Sequence, residues 1–234
     1  MSTEMLAMGL IWYAVFLFSA TVHEAAHAWA ALRLGDPTAY LGGQVTLNPA
    51  PHVAREPFGT VVVPIITYAL SGWMMGWASA PYDPYWADRH PRRAGYMALA
   101  GPLSNLLIVI LTGIAIRVGM LTGHLTHPQS IEISRVVEAS AAGPWEAVAA
   151  LLSILFTLNL LLFAFNLIPF PPLDGASVLP LLLSESAGEK FRAFVSQPGF
   201  GLLGLLIAWH LFGELFGPIM ILAVNLLYPD IGYA

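Results

Sequence analysis

The most constraining feature of this sequence is an H-E-x-x-H motif, His23-Glu24-Ala25-Ala26-His27, inside a stretch with the composition of a transmembrane helix. Between residues 6 and 32 the two histidines and Glu24 are the only acidic or basic side chains. Two imidazoles at positions i and i+4 project from one face of a helix and can bind the same metal ion. Glu24, in the same helical turn, is placed to take a proton from water on that metal. Because ionisable groups at membrane depth are costly, three of them at this spacing predict a metal site rather than a solvated helix face.

The composition indicates an integral membrane protein. Hydrophobic residues make up 57% of the 234 residues and charged residues 10%, whereas soluble domains carry about 25% charged residues. The net charge of −5 gives no sign of nucleic-acid binding. Because the chain has no cysteine, a zinc ion would have to be bound by histidine and carboxylate groups. We expect one integral-membrane domain that covers residues 1–234 and has an all-α polytopic fold.

Apolar stretches long enough to cross a bilayer predict four full transmembrane helices. They lie at about 6–32, 96–117, 145–167 and 200–227. A further stretch, 58–80, is interrupted by Pro64 and Gly76, which favours a re-entrant hairpin over a crossing, so that the total is four to six helices. Residues 41–47 alternate and are rich in glycine and β-formers, which predicts a short β-type hairpin or loop after the first helix.

The distribution of lysine and arginine predicts how the chain is oriented in the membrane. If 58–80 returns to the side from which it enters, nearly all basic residues fall on one face; they are Arg33, Arg55, Arg89, Arg92, Arg93, Lys190 and Arg192. By the positive-inside rule this face is cytoplasmic, and the N-terminus is outside. We therefore expect a multi-pass protein of the cell membrane whose active site lies near the cytoplasmic face.

A catalytic zinc ion usually has three protein ligands, so the two histidines require a third partner. Asp174 is the best candidate, because it is the one carboxylate at the end of a span, 148–173, that otherwise lacks charged residues. Residue 23 lies about 25 Å along the helix from Leu6, which puts the histidines near the interface where Asp174 emerges. Glu56 is a weaker alternative, because it lies in a broken, proline-flanked stretch.

Three motifs in this order resemble those of the site-2 protease family of intramembrane zinc metalloproteases. They are His23-Glu24-x-x-His27, Gly101-Pro102-x-x-Asn105, and the segment from Asn166 to Asp174-Gly175. The chain is similar to the compact bacterial-type branch of that family, which has no PDZ domain. The resemblance implies that His23, His27 and Asp174 bind one zinc ion per chain and that Glu24 activates water. It also implies that Asn166 stabilises the oxyanion.

The resemblance implies regulated intramembrane proteolysis, the hydrolysis of peptide bonds within or next to transmembrane segments of other proteins. The expected partners are the lipid bilayer and a single-pass transmembrane protein or membrane-embedded peptide, which must unwind locally before cleavage. We hypothesise that residues 41–47 pair with the unwound substrate by β-augmentation. The alternative is a membrane metal transporter or channel that uses the same buried ligands, although such proteins tend to contain internal repeats, and none is apparent. The oligomeric state is not predicted.

Other polar residues within the apolar spans have simpler interpretations. We expect Asn105 and Asn159 to form hydrogen bonds between helices rather than to act in catalysis. His210 and Glu214, four residues apart on the last span, are interpreted as a buried polar pair because no third metal ligand accompanies them. His52 is interpreted as a loop residue.

Overall fold

The computed structural model describes residues 3–234, most of which lie in ten α-helices. In chain order these are α1 (Thr3–Leu34), α2 (Thr38–Leu41), α3 (Pro49–Arg55), α4 (Val63–Ser71), α5 (Pro84–Arg89), α6 (Pro91–Leu121), α7 (Pro144–Asn166), α8 (Gly175–Val178), α9 (Glu185–Val195) and α10 (Phe200–Leu227). A π-helical turn, Phe58–Val62, leads into α4, and a 3-10 turn, Leu179–Leu182, follows α8. The described residues contain one antiparallel sheet, in which β1 (Leu125–Thr126) pairs with β2 (Glu138–Ala139).

Four of these helices, α1, α6, α7 and α10, are long and apolar enough to cross a membrane. They correspond to the four predicted spans, which confirms the all-α polytopic membrane fold. The main difference is at α6, which begins at Pro91 and so includes part of the basic cluster that the sequence analysis placed before the span. Proline suits the first position of a helix, because its missing N–H would have no intrahelical partner there.

The centre of the protein is formed by α1, α6 and α7, which pack against one another. Trp12 and Phe16 of α1 lie in one buried apolar cluster with Ile154 of α7. By contrast, α10 lies at the edge, where it packs on α7 and on the loop after it, with Ala208 in contact with the cluster around Ile168. Because lipid is as apolar as these side chains, hydrogen bonds between buried polar residues are a main means of holding the helices together.

The interrupted stretch 58–80 folds back on itself. At its base the hydroxyl of Ser79 donates to the Glu56 carboxylate at 2.7 Å, and one turn further in the Trp77 N–H donates to the Gly59 carbonyl at 3.1 Å. Gly72 makes the turn at the far end with a φ of 78°, a conformation that favours glycine. Both ends of the stretch therefore lie on the same side of the bundle, which supports the re-entrant interpretation.

The segment after α1 is a loop, as expected, but the predicted β-type geometry is wrong. The segment begins with the short helix α2 and continues as irregular backbone to Asn48, with Gly43 at a φ of 73°. A strand needs a neighbouring strand for its hydrogen bonds. Within residues 3–234 none lies alongside, and the Gln44 N–H donates instead to Ala39 of α2. Because residues 42–48 are irregular rather than extended, the structure does not support the hypothesis that segment 41–47 pairs with substrate as a strand.

Candidate metal centre

The helix α1 brings His23 and His27 together on the face that packs against α6. Their Nε2 atoms are 3.0 Å apart, and both side chains are buried, with 6% and 8% of their surface exposed. This is the arrangement that the i, i+4 spacing predicts, because two residues four positions apart lie above one another on a helix. Neither imidazole faces bulk solvent, so the solvated-face interpretation of the motif is excluded.

Asp174 lies at the start of α8, where its carboxylate faces both imidazoles. Its Oδ2 atom is 3.2 Å from His23 Nε2, and its Oδ1 atom is 3.3 Å from His27 Nε2. Potential ligand atoms of these three residues all lie within 4.8 Å of one another. Among residues 3–234 this is the one group of three or more such side chains close enough to bind a common ion.

The separations within this group fit a zinc ion. Tetrahedral zinc with ligands at about 2.0–2.1 Å holds those ligands about 3.3 Å apart. Here the two Nε2 atoms are 3.0 Å apart, and each lies 3.2 or 3.3 Å from a different oxygen of Asp174. Asp174 Oδ2 is buried and accepts no hydrogen bond from the described residues. This oxygen is therefore available to bind a cation.

Hydrogen bonds at the far side of each ring fix the orientation of the histidines. His23 Nδ1 is 2.6 Å from Asn105 Oδ1, and His27 Nδ1 is 2.8 Å from the Met97 carbonyl. Because a carbonyl oxygen only accepts, each Nδ1 carries the proton and each Nε2 presents its lone pair. This is how protein metal sites usually hold their histidine ligands.

The partner of His23 belongs to a buried polar chain that crosses three helices. Asn105 of α6 donates to Asn159 of α7 at 2.8 Å, and Asn159 donates to Ser19 of α1 at 2.9 Å. All three residues have 0% exposure. The prediction that Asn105 and Asn159 join helices is confirmed, but that Asn105 also holds a ring of the candidate metal centre was not predicted. The signal in the sequence that could have indicated this role is a polar residue, Asn105, placed in an apolar span three residues after the Gly101-Pro102 pair.

Two glycines provide the space for this centre. A Cβ atom on Gly101 would lie 2.3 Å from His27 Nε2 and 2.6 Å from His23 Nε2, so α6 approaches the imidazoles as closely as a backbone can. A Cβ atom on Gly175 would lie 2.3 Å from the Leu167 carbonyl oxygen, so this glycine allows the turn that carries Asp174 to fold against the end of α7. Gly101 belongs to the Gly101-Pro102-x-x-Asn105 motif and Gly175 follows Asp174 in the third motif. These close approaches give the steric reason for a glycine at each position.

The two predicted catalytic residues differ in their placement. Glu24 is buried in α1 within the same turn as the histidines, with 7% exposure. Asn166, the last residue of α7, is half-buried, and its side-chain amide donates to the Leu162 carbonyl at 3.0 Å. In the described structure Asn166 therefore makes a hydrogen bond within its own helix rather than with the His–His–Asp group.

The remaining candidate residues do not belong to the His–His–Asp group. His52 is buried in the helix α3 and hydrogen bonds to the Thr46 carbonyl at 3.1 Å, so its interpretation as a loop residue is wrong. Glu56 accepts from Ser79 at the base of the hairpin. His210 and Glu214 are exposed on α10, so their interpretation as a buried pair is wrong. The reason is the marginal position of α10, which buries only one of its faces.

Comparison with known proteins identifies related sequences. The model of the family described as Peptidase family M50 matches residues 11–206. "Putative zinc metalloprotease YwhC" of Bacillus subtilis is 35% identical over 175 residues, which are 74% of this chain and 69% of that protein. "Putative zinc metalloprotease Rip2" of Mycobacterium tuberculosis is 30% identical over 192 residues, 82% of this chain and 63% of that protein. The Rip2 of Mycolicibacterium smegmatis is 26% identical over 193 residues, 82% of this chain and 64% of that protein.

The chain thus spans a little less than two thirds of the two mycobacterial relatives. No solved structure matches it. The match to the family model covers most of the chain and includes all three motifs of the candidate centre. The alternative of a metal transporter has no support among these relatives. The chain therefore belongs to peptidase family M50, the intramembrane zinc metalloproteases.

Proposed function

We propose that this protein cleaves peptide bonds within or next to transmembrane segments of other membrane proteins, with His23, His27 and Asp174 as ligands of one zinc ion. The observation that carries the proposal is the convergence of two imidazoles and one carboxylate, at separations suited to zinc, inside a bundle of apolar helices. Bound zinc would lower the pKa of a water molecule and polarise the carbonyl of the scissile bond.

Glu24 is the proposed general base. It lies in the same turn of α1 as both histidines and is buried, which keeps its carboxylate in the low-dielectric surroundings of the centre. A carboxylate there can take the proton of the attacking water and deliver it to the leaving amine. Glu24 is the carboxylate that lies between the two histidines in the sequence of α1, so the step depends on it.

Asn166 is proposed to donate a hydrogen bond to the oxyanion that forms during cleavage. Its position at the end of α7, eight residues before Asp174, supports this role, since the chain turns there towards the centre. The amide would have to leave the Leu162 carbonyl to which it now donates. Asn166→Ala should therefore slow cleavage without loss of zinc.

The proposed substrates are single-pass membrane proteins or membrane-embedded remnants of an earlier cleavage. A helical substrate engages its carbonyls in i→i−4 hydrogen bonds, so it must unwind before the centre can act on it. The centre lies among helices that are apolar enough to cross a membrane. A polypeptide that reaches it within the bilayer would be a transmembrane segment. We do not assign a substrate-pairing strand, because residues 42–48 are irregular.

The active site is proposed to lie near the cytoplasmic face of the cell membrane, with the N-terminus outside. Support comes from the stretch 58–80, which returns to the side from which it starts. The basic residues around Arg93 then lie next to the end of α1, and Arg93 donates a hydrogen bond to the Leu34 carbonyl there. Single cysteines at Ser130 and Ala87 test this with a membrane-impermeant reagent. Position 130 should react from outside, and reaction of position 87 from outside would reverse the assignment.

The decisive experiment compares the wild type with Glu24→Gln and Asp174→Ala, each purified and assayed for zinc and for cleavage of a model transmembrane substrate. Glu24→Gln should keep about one zinc per chain and lose cleavage, because the ligands remain and the proton acceptor is gone. Asp174→Ala should lose both zinc and cleavage. Full zinc occupancy in Asp174→Ala would refute the ligand assignment, and wild-type cleavage by Glu24→Gln would refute the proposed base.

A further inference from the structure

A cavity of about 730 Å³ lies between the second half of α10, the middle of α7 and two non-helical segments. One segment, residues 129–133, belongs to the loop between α6 and α7, and the other, 231–234, follows α10. None of the residues that line this cavity belongs to the His–His–Asp group. The volume falls within the range of about 300–1,000 Å³ that is usual for binding sites of small molecules.

Hydrogen bonds hold both segments in place, so the cavity is part of the fold. The side chain of Asn225 on α10 accepts from the Tyr233 N–H at 2.8 Å and donates to the Tyr233 carbonyl at 2.9 Å. The Tyr233 hydroxyl donates to the Pro128 carbonyl at 2.5 Å, which joins the two segments. Further along the loop, the Val136 N–H donates to the hydroxyl of Ser153 on α7 at 3.0 Å. The cavity is therefore formed before any ligand binds.

The lining of the cavity is largely apolar. Its aliphatic and aromatic side chains include Ile131, Phe216, Met220, Ile221, Val224 and Ile231. From Phe216 to Val224 this wall extends about 12 Å along the axis of α10, at 1.5 Å per residue. The polar side chains of the loop, Gln129, Ser130 and Glu132, are exposed at one end. Because apolar cavities stay dry and take up apolar molecules, this shape suits an elongated lipophilic ligand.

Thr157 of α7 is the polar exception in the helical wall of the cavity. It has 0% exposure, and its hydroxyl has no hydrogen bond partner among the described residues. Of the lining residues that are not themselves exposed, no other has a buried polar side-chain atom without a partner. Thr157 lies about 20 Å along α7 from Pro144, at 1.5 Å per residue, so it is deep within the membrane-spanning part of the helix. An unpaired donor is costly at that depth.

We propose that this cavity binds an elongated lipophilic molecule with a carbonyl group at its inner end, and that this carbonyl accepts a hydrogen bond from Thr157. The apolar lining contacts the body of the molecule, and its inner end supplies the acceptor that the fold lacks. A carbonyl oxygen only accepts, so it brings no new donor into apolar surroundings. An alcohol would add a donor, and a carboxylate would add a charge that the lining, which contains no lysine or arginine, does not neutralise. Long-chain ketones and quinones are the ligand class with this chemistry.

Protection of a cysteine inside the cavity tests the proposal, since the chain has no cysteine of its own. Gly217 lines the cavity, whereas Gly213, about one turn away on α10, does not. A Cβ atom at either position would meet nothing within 4 Å, so Gly217→Cys and Gly213→Cys are matched variants. The probes are 2-undecanone and undecane, added to lipid vesicles that contain the full chain. Both probes should slow the reaction of Gly217→Cys with a membrane-permeant thiol reagent, and neither should slow that of Gly213→Cys.

Thr157→Val separates the hydrogen bond from the shape of the cavity, because valine has a similar shape but no hydroxyl. The measured quantity is the ratio of the half-protecting concentrations of undecane and 2-undecanone for Gly217→Cys. With Thr157 this ratio should be about 2- to 12-fold larger than with valine, the effect of one neutral hydrogen bond. Different partition of the probes into lipid cancels, because it is the same for both proteins. The same ratio in both, or no protection by either probe, would refute the proposal.

Gly217→Leu fills the cavity instead of changing its chemistry, and Gly213→Leu is its control. 2-Undecanone should raise the melting temperature of the wild type and of Gly213→Leu, because a ligand that binds the folded state stabilises it. It should leave the melting temperature of Gly217→Leu unchanged. Equal shifts in all three proteins, or no shift in the wild type, would overturn the proposal. Neither experiment measures cleavage, so the result is separate from any failure of the proposed catalytic function.

Discussion

Replacement of Asn105 by leucine should weaken zinc binding although Asn105 is not itself a ligand. The side chain accepts a hydrogen bond from His23 Nδ1 at 2.6 Å and donates one to Asn159 at 2.8 Å. Leucine has a similar shape but can do neither. The His23 ring would lose the contact that fixes both its orientation and the nitrogen that carries its proton.

Two magnitudes follow from these contacts. Partners of this kind usually contribute 10- to 100-fold to metal affinity, so the zinc Kd should rise by about that factor. The change also leaves two buried groups, His23 Nδ1–H and Asn159 Oδ1, without partners. At about 1–3 kcal/mol for each, the free energy of unfolding of the zinc-free protein should fall by about 2–6 kcal/mol.

The matched control is Asn159→Leu, which breaks the next link of the same chain but leaves the bond between His23 and Asn105. Zinc affinity is measured by competition with a chelator, and stability by thermal unfolding in detergent without zinc. Both variants should be less stable than the wild type, whereas only Asn105→Leu should show the full loss of zinc affinity. If Asn105→Leu binds zinc as tightly as the wild type, or if both variants lose affinity equally, the reasoning is refuted.

Two further predictions concern a steric and an electrostatic contact. Gly101→Ala should abolish zinc binding while helical content by circular dichroism stays unchanged, because its Cβ would lie 2.3 Å from an imidazole nitrogen that is pinned in place; one zinc per chain in this variant would contradict the steric argument. Asp36→Asn should lower the melting temperature at pH 7. Burial raises the pKa of Asp36, but hydrogen bonds from Thr38 and from the Asp83 N–H lower it further, so the folded-state pKa lies below the unfolded one. This stabilisation is present above a pH of about 4 and is lost as the pH falls through the folded pKa, so the difference between variant and wild type should shrink in acid. A difference that does not change with pH would contradict the electrostatic argument.

The sequence by itself determined the features that depend on local spacing. The pattern i, i+4 fixed which side of α1 carries His23 and His27, and the length of the apolar stretches gave the four long helices. Both follow from helix geometry and from the cost of placing charge in lipid, which act on neighbouring residues. The choice of Asp174 was possible for the same reason, because a lone carboxylate after a charge-free span is visible in the sequence.

Only the tertiary structure decided which polar groups meet across helices. It placed Asn105 against His23 over 82 positions of sequence, and it gave Gly101 its steric role. It also left residues 42–48 without a strand partner and turned His210 outwards on α10. In an apolar transmembrane helix the side chains are hydrophobic all around the axis. The periodicity of the sequence therefore does not show which side faces a neighbouring helix and which faces lipid. Contact with another helix makes that choice, and such contacts depend on residues far apart in the chain.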